Sequence, residues 1–509
     1  MSAPATLSWF ARHEFRLAWR DWLSMMTAGK ASRLRMAALA LASFVLFMHF
    51  IAFLALRNVT DPGLSPGKRA LVVITGCALL SWSLMISQAM ESVTRAFYTR
   101  SDLDLILSSP IAARKVFSVR IVTMALGTAL MATLLAGPFI HVLVIRFGAR
   151  WLAAYGVVVS MGATAAALAV ALTVVLFRAI GPKRTRLAAQ IVAAVIGAAF
   201  VIGLQVAAIL SQDTLSRFAF LQSDTLAARA PDVASLVWWP ARAMLGDWQA
   251  LAAVAAASLT MLGAAIFVFS GRFGEHAIAA AGIGNARTKQ APAAAFRHAS
   301  PRRALRRKEW TLLRRDPWLV SQTLMQILYL LPPALMLWRG YGDGGVFAVL
   351  VPVLVMAAGQ LAGGLAWLAI SGEDAPDLVA TAPVPAGFLV RAKIEGVLGA
   401  VAIVFAPLLA ALALIAPFQA LVAAAGMAIA VIAATLIQLW FRNQAKRSHF
   451  RRRHTSSRVA TFAEAFSSIA WAATAALAAG ESLLALMPAA VGVGVLIAAR
   501  ALSPRDVPG

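Results

Sequence analysis

The stretch KEWTLLRRDPW (Lys308–Trp318) repeats, in the middle of the chain, a pattern already present near its start, HEFRLAWRDW (His13–Trp22). Aligned one to one, Glu14, Leu17, Arg20 and Asp21 fall on Glu309, Leu312, Arg315 and Asp316. Phe15 falls on Trp310, and Trp22 on Trp318 once Pro317 is inserted. On a helical wheel Arg12, His13, Arg16 and Arg20 gather on one side of the first copy, while Leu7, Ala11, Phe15, Ala18, Trp19 and Trp22 gather on the other. This is the profile of a helix lying in a membrane surface, its rings among the headgroups and its guanidinium groups toward anionic lipid.

What surrounds the two copies is far more apolar. The 509 residues are 61% hydrophobic and 13% charged, with a mean hydropathy of +0.79. A soluble core cannot hide that much apolar surface, so the composition implies an all-α polytopic membrane protein. Windows of about 20 apolar residues place twelve spans near 36–56, 70–91, 117–145, 151–177, 187–210, 250–270, 319–338, 346–370, 396–416, 419–441, 459–479 and 482–499. The third is long enough to need tilt or a bend at Pro138. Each surface helix then stands just ahead of six spans.

Charge tests this layout independently. With the amino terminus in the cytosol, roughly four-fifths of the 46 lysines and arginines fall on the cytosolic side, as the positive-inside rule requires. The same sidedness accounts for the net charge of +25, which in a soluble protein would point to nucleic acid; no nucleic-acid partner is expected here. The first 35 residues lack the pattern of a cleavable signal, and both termini are expected in the cytosol, the chain residing in a cytoplasmic membrane. The single Cys77 lies in an apolar run and reads as a small core residue.

Two further echoes extend the first. SDLDLILSSPIAARKVFSVRI follows the second span and EDAPDLVATAPVPAGFLVRAKI follows the eighth. Setting Pro110 on Pro383 places Asp104 on Asp377, Leu105 on Leu378, Ile106 on Val379 and Arg120 on Lys393. Phe177–Arg178 with Lys183–Arg184 is echoed by Phe441–Arg442 with Lys446–Arg447. Three echoes in one order imply an internal duplication. Six spans return the chain to its starting side, so the two repeats are expected to be parallel, related by a pseudo-two-fold axis along the membrane normal. The organisation read from this is a first repeat over 1–270, a cytosolic Ala/Gly/Pro/Arg-rich linker over 271–304, and a second repeat over 305–509.

The segments after the second and eighth spans each read as a helix of about two turns. Asp102 or Ser101 can cap the first and Pro110 ends it; Asp374 can cap the second, Pro376 fits its first turn and Pro383 ends it. Leu103, Leu105, Ile106 and Leu107 in one, and Leu378 and Val379 in the other, present apolar surface to the cytosol that something must cover.

Chemistry is sparse. Gly63–Lys68 reads GLSPGK, which lacks phosphate-loop spacing, and no Cys/His cluster or His-Glu-x-x-His helix offers a metal site. No cofactor is expected to bind this chain. His49 near the middle of a span is expected to pack in neutral form or bond to a neighbouring helix, and Glu464 lies near the cytosolic end of its span. Ser83, Ser87 and Gln88 in the second span, Gln190 and Gln205 in the fifth, and Gln360 beside Gly359 and Gly363 in the eighth can either line a path or pack helices. The outer segment Ser211–Trp248, with four Asp and Trp238-Trp239-Pro240, is expected to dip back to the interface.

With a surface helix before each half (HEFRLAWRDW, KEWTLLRRDPW) and a short cytosolic helix after each half's second span (DLDLILSSP, DAPDLVATAP), the chain resembles the integral membrane subunits of ATP-binding-cassette exporters of the type-2 kind. The resemblance covers nearly the whole chain, as two permease units fused in tandem. It implies that ATP and magnesium belong to a pair of partner ATPase subunits, and that the exported substrate passes through the membrane part. It further implies a coupling role for Asp102, Leu103, Asp104, Leu105, Ile106, Leu107 and Pro110, and for Asp374, Asp377, Leu378, Val379 and Pro383. The surface-helix role falls to Glu14, Phe15, Arg20, Asp21 and Trp22, and to Glu309, Trp310, Arg315, Asp316 and Trp318. The short outer connection at Gly480–Glu481 departs from the re-entrant segment the resemblance implies for each half. An ion-coupled secondary transporter is the alternative. A membrane-embedded lipid-modifying enzyme would have to use the Glu14/Asp21 and Glu309/Asp316 pairs, for which pairing with basic loops is expected over catalysis.

Overall fold

A computed structural model describes residues 12–17, 19–20, 34–60, 63, 66–98, 113–212, 220–282, 300–315, 328, 335, 344–371, 385–441 and 458–503. The regular elements among them are all helices. The chain divides into two compact units, Met1–Arg287 and Thr288–Gly509, a boundary that falls within the stretch 271–304.

In the first unit, residues 12–17 and 19–20 are helical. They are followed by α1 (Leu34–Leu56), α2 (Lys68–Tyr98), α3 (Ala113–Phe147), α4 (Ala153–Gln212), the short α5 (Asp224–Arg229) and α6 (Trp239–Met244), and α7 (Trp248–Gly282). The 60-residue α4 is two spans joined by a break at Gly181, whose φ of 71° and ψ of 165° lie where side chains are strained. Pro182 follows directly and disfavours helical geometry in the residue before it, so the sequence Gly-Pro itself specifies the turn. α4 is the hub against which α2, α3 and α7 pack. Its small buried residues Ala163, Ala165, Ala166, Ala167 and Ala169 let those helices close in around Met90, Phe117 and Ile121. α1 is tied to α3 by His49, whose Nε2 lies 3.0 Å from Nδ1 of His141; the hydroxyl of Tyr155 is 2.7 Å from the other nitrogen of His141. His49 Nδ1 bonds the Val45 carbonyl at 2.8 Å, which can only accept, so one set of neutral tautomers satisfies the whole chain. His49 thus bonds a neighbouring helix, as its position in a span predicts.

Segment 220–248 is built, not merely apolar. Trp238 is buried and donates to the Asp232 carbonyl at 3.0 Å; Lys68 pairs with Asp232 at 3.2 Å, and Arg69 with Asp224. Asp247 caps α7: the amides of Ala250 and Gln249 each donate to its Oδ1 at 3.1 Å, and Arg242 approaches its other oxygen at 2.7 Å. Chiefly through the Ala250 amide, these contacts hold the carboxyl below the usual range. Because the folded value is depressed, the stability Asp247 contributes is present above the ordinary carboxylate range and is lost as pH falls through the folded value.

The second unit contains α8 (Pro301–Arg315), α9 (Gly344–Ser371), α10 (Ala386–Ile415), α11 (Pro417–Phe441), α12 (Arg458–Ala479) and α13 (Leu486–Leu502). Here α11 and α12 together have as neighbours α9, α10 and α13, as α4 has α2, α3 and α7 in the first unit. Leu354, Leu365, Phe405, Leu412 and Met427 fill its core, and Leu313 joins them from α8.

Ten helices among the described residues are long and apolar enough to cross a membrane. They fall on ten of the twelve spans read from the sequence. Of the other two, 36–56 lies on α1, whose apolar stretch Leu41–Leu56 is shorter than a span, and 319–338 lies almost wholly outside the described residues. Pro138 sits inside α3, which continues through it. The segment read as a linker starts as helix, since α7 runs to Gly282. Large apolar side chains such as Leu46, Leu130, Phe267, Leu414 and Leu421 stand exposed on these helices, a surface that requires lipid rather than water.

α3 and α4 approach closely at Gly162, where an added Cβ would fall 2.7 Å from the Ala129 Cβ and 3.0 Å from its Cα. Gly162→Ala must push two backbones apart, at about 1–3 kcal/mol. It should lower the thermal midpoint of the purified protein, whereas Gly127→Ala on α3, where a Cβ meets nothing within 4 Å, should leave it unchanged or raise it.

Candidate functional site

Glu309 lies in the middle of an Arg-rich helix, yet it is buried. Its two oxygens accept from Lys393 Nζ at 3.1 and 3.3 Å, and Lys308 Nζ lies 3.2 Å from the first of them. Lys393 also donates to the Ala369 carbonyl at 2.5 Å. Ala369 belongs to the last turn of α9, where carbonyls lack helical partners and the helix dipole favours a cation. One ammonium group therefore joins three elements: α8, the end of α9 and the start of α10.

Packing follows from that anchor. Gly396 leaves room for α8, since its Cβ would sit 3.5 Å from that of Glu309, and the Trp310 ring occupies the notch at Gly399, where a Cβ would come within 2.9 Å of Cζ2. Arg302 lies over the Phe388 ring at 4.5 Å, and Arg306 pairs with Glu395 in solvent. Between the two helices a cleft of about 430 Å³ is lined by Arg306, Trp310, Ala392, Glu395 and Gly396.

The first unit carries a matching acid–base pair. Glu14 is buried, and its Oε1 lies 3.5 Å from Nε of Arg120, which is buried too, with its guanidinium 5.7 Å from the centre of the Phe117 ring. Arg120 is the eighth residue of α3, and Lys393 the eighth of α10. The sequence alignments had placed Glu14 on Glu309 and Arg120 on Lys393 separately; the structure makes each matched acid the partner of the matched base.

No family model, curated protein or solved structure matches this chain.

Other residues singled out from sequence fall as follows. Phe15 and Trp19 are exposed beside the buried Glu14, Arg20 is exposed, and Trp310 is partly so. Arg315 ends α8, while Asp21, Trp22, Asp316 and Trp318 lie outside the described residues. So do all of the proposed coupling residues, Asp102–Pro110 and Asp374–Pro383. Each of those segments is nevertheless framed by described helices: α2 and α3 flank the first, α9 and α10 the second, and each ion pair sits on the helix that follows. Among the polar span residues, Ser83 is buried and donates to the Leu80 carbonyl, and Ser87 packs against Gly197. Gln88 and Gln360 are exposed, and Gln190 and Gln205 half-buried. Gly359 and Gly363, beside Gln360, receive side chains of α12.

Removing one partner of a buried pair leaves an uncompensated charge, at about 3–5 kcal/mol, whereas an exposed pair contributes at most about 1 kcal/mol. Glu309→Ala should therefore lower the thermal midpoint strongly and Arg306→Ala only slightly. Equal effects would mean that the Glu309 pair carries no more than a surface contact.

Proposed function

We propose that the chain is the permease of an ATP-binding-cassette exporter in a cytoplasmic membrane, two six-span halves fused in tandem and driven by a separate pair of ATPase subunits. The observation that carries this reading is the same buried acid–base pair at the root of both short segments, 102–110 and 374–383. A partner pushing on either segment would act on α3 or α10 and, through the ion pair, on the surface helix. A rigid connection of this kind suits a protein whose energy arrives from outside the membrane. The matched pattern of helix neighbours in the two units supports a duplicated permease, and the excess of basic residues supports cytosolic termini.

The alternatives have less behind them. Glu14 and Glu309, the acids a lipid-modifying enzyme would need, are occupied by ion pairs. Ion-coupled transport has one observation in its favour, the carboxyl of Glu464 within a span.

The test addresses the apolar residues of the two segments. Burying a Leu or Ile side chain contributes about 1.5–3 kcal/mol, so replacing Leu105 and Ile106 with Asp, and likewise Leu378 and Val379, should release the ATPase on purification while the chain still inserts at a normal level. Retained ATPase with unimpaired transport would contradict the proposal.

A further inference from the structure

Glu464 stands on α12 within the apolar stretch Ala460–Ala479, six residues beyond Arg458. Its Oε2 accepts from Nε2 of Gln438 on α11 at 2.7 Å, its one hydrogen bond among the described residues. Its Oε1 is seated against Gly363 of α9, so closely that a Cβ there would fall 1.3 Å from the oxygen. One turn along both helices Ser468 enters the notch of Gly359, where a Cβ would lie 2.6 Å from the hydroxyl. Two side chains four residues apart on α12 thus fill two glycine notches four residues apart on α9. A side chain at 363 would displace the Glu464 carboxyl from this notch.

The surroundings select the ligand. The carboxyl meets one N–H donor and a glycine backbone, not the ring of oxygens a metal cation requires. Charged residues on the packed elements are few: α9 and α11 contain none, α12 contains Arg458 besides Glu464, and α13 contains Arg500, whose guanidinium lies 5.5 Å from the centre of the Trp440 ring. Ser467 and Ser468 are buried within one turn of Glu464 on the same helix, and their hydroxyls have no hydrogen-bond partner among the described residues.

We propose that Glu464 is a proton-binding site within the second unit. One proton adds to a carboxylate oxygen, and the neutral acid sits in the Gly363 notch with Gln438 as its donor. On losing that proton the side chain becomes an anion, which the notch disfavours and the idle Ser467 and Ser468 hydroxyls, three and four residues along the same face, can receive. The seat of α12 on α9 is then linked to proton occupancy. This site is independent of any ATPase and does not rest on the exporter reading.

Infrared spectroscopy of the full chain in phosphatidylcholine/phosphatidylglycerol bilayers tests it, with Glu464→Gln as the isosteric reference and Glu464→Asp as an acid of shorter reach. The expected result is a carboxylic-acid carbonyl band at about pH 6 that Glu464→Gln lacks, that gives way to a carboxylate band by about pH 9, and whose midpoint Glu464→Asp and Gly363→Ala displace. Absence of a Glu464-dependent acid band at the lower pH would overturn the proposal, because the group would then be ionised throughout. A band unchanged at the higher pH would overturn it equally, since the proton would then be a fixed part of the packing.

Discussion

A carboxylate withdrawn from water must meet a cation or take up a proton, and the first of these outcomes is found in both units. Glu309 is buried with Lys393 on both of its oxygens and Lys308 on one, and Lys393 reaches it because α8 lies beside the start of α10 and the end of α9. Once α8 is so placed, Leu313 enters the core and Trp310 meets Gly399. In the first unit Glu14 and Arg120 form the corresponding buried contact between residues 12–17 and α3. A buried pair contributes little net stability over an apolar substitute, but this one holds α8 against α9 and α10.

Much of this was legible in the sequence, because lipid makes span length and apolarity nearly sufficient signals. The break in α4 at Gly181 falls between the two spans read at 151–177 and 187–210. The partner of the repeated glutamate was not read. Two separate echoes had matched an acid in one segment and a base in another, and opposite signs preserved at both matched positions were the available clue. Pairing was expected with basic loops, yet the bases lie on helices, and periodicity gives no information on which helix faces which. The Glu464 notch was hidden for a related reason. Gly359 and Gly363 read as packing or path-lining residues, and only the register of α12 against α9 shows that they receive a serine and an acid.

The two units also differ, and the differences lie away from the shared pair. The first has an elaborated segment between its last two spans, with α5 and α6 fastened by Lys68, Arg69 and Trp238. The second closes the corresponding connection at Gly480–Glu481, with Glu481 at a φ of 56° and a Ser482 cap. The His49–His141–Tyr155 chain belongs to the first unit and the Glu464–Gln438 contact to the second. The two units thus share a buried acid–base pair and differ in the other polar groups described on their helices.

If the two pairs, Glu14–Arg120 and Glu309–Lys393, are equivalent, a double-mutant cycle on each, Glu14→Gln with Arg120→Met and Glu309→Gln with Lys393→Met, followed by thermal unfolding of the full chain, measures it directly. A favourable coupling of about 0.5–3 kcal/mol is expected in both units, each double variant being far less destabilised than the sum of its singles. Additive effects in either unit would contradict it.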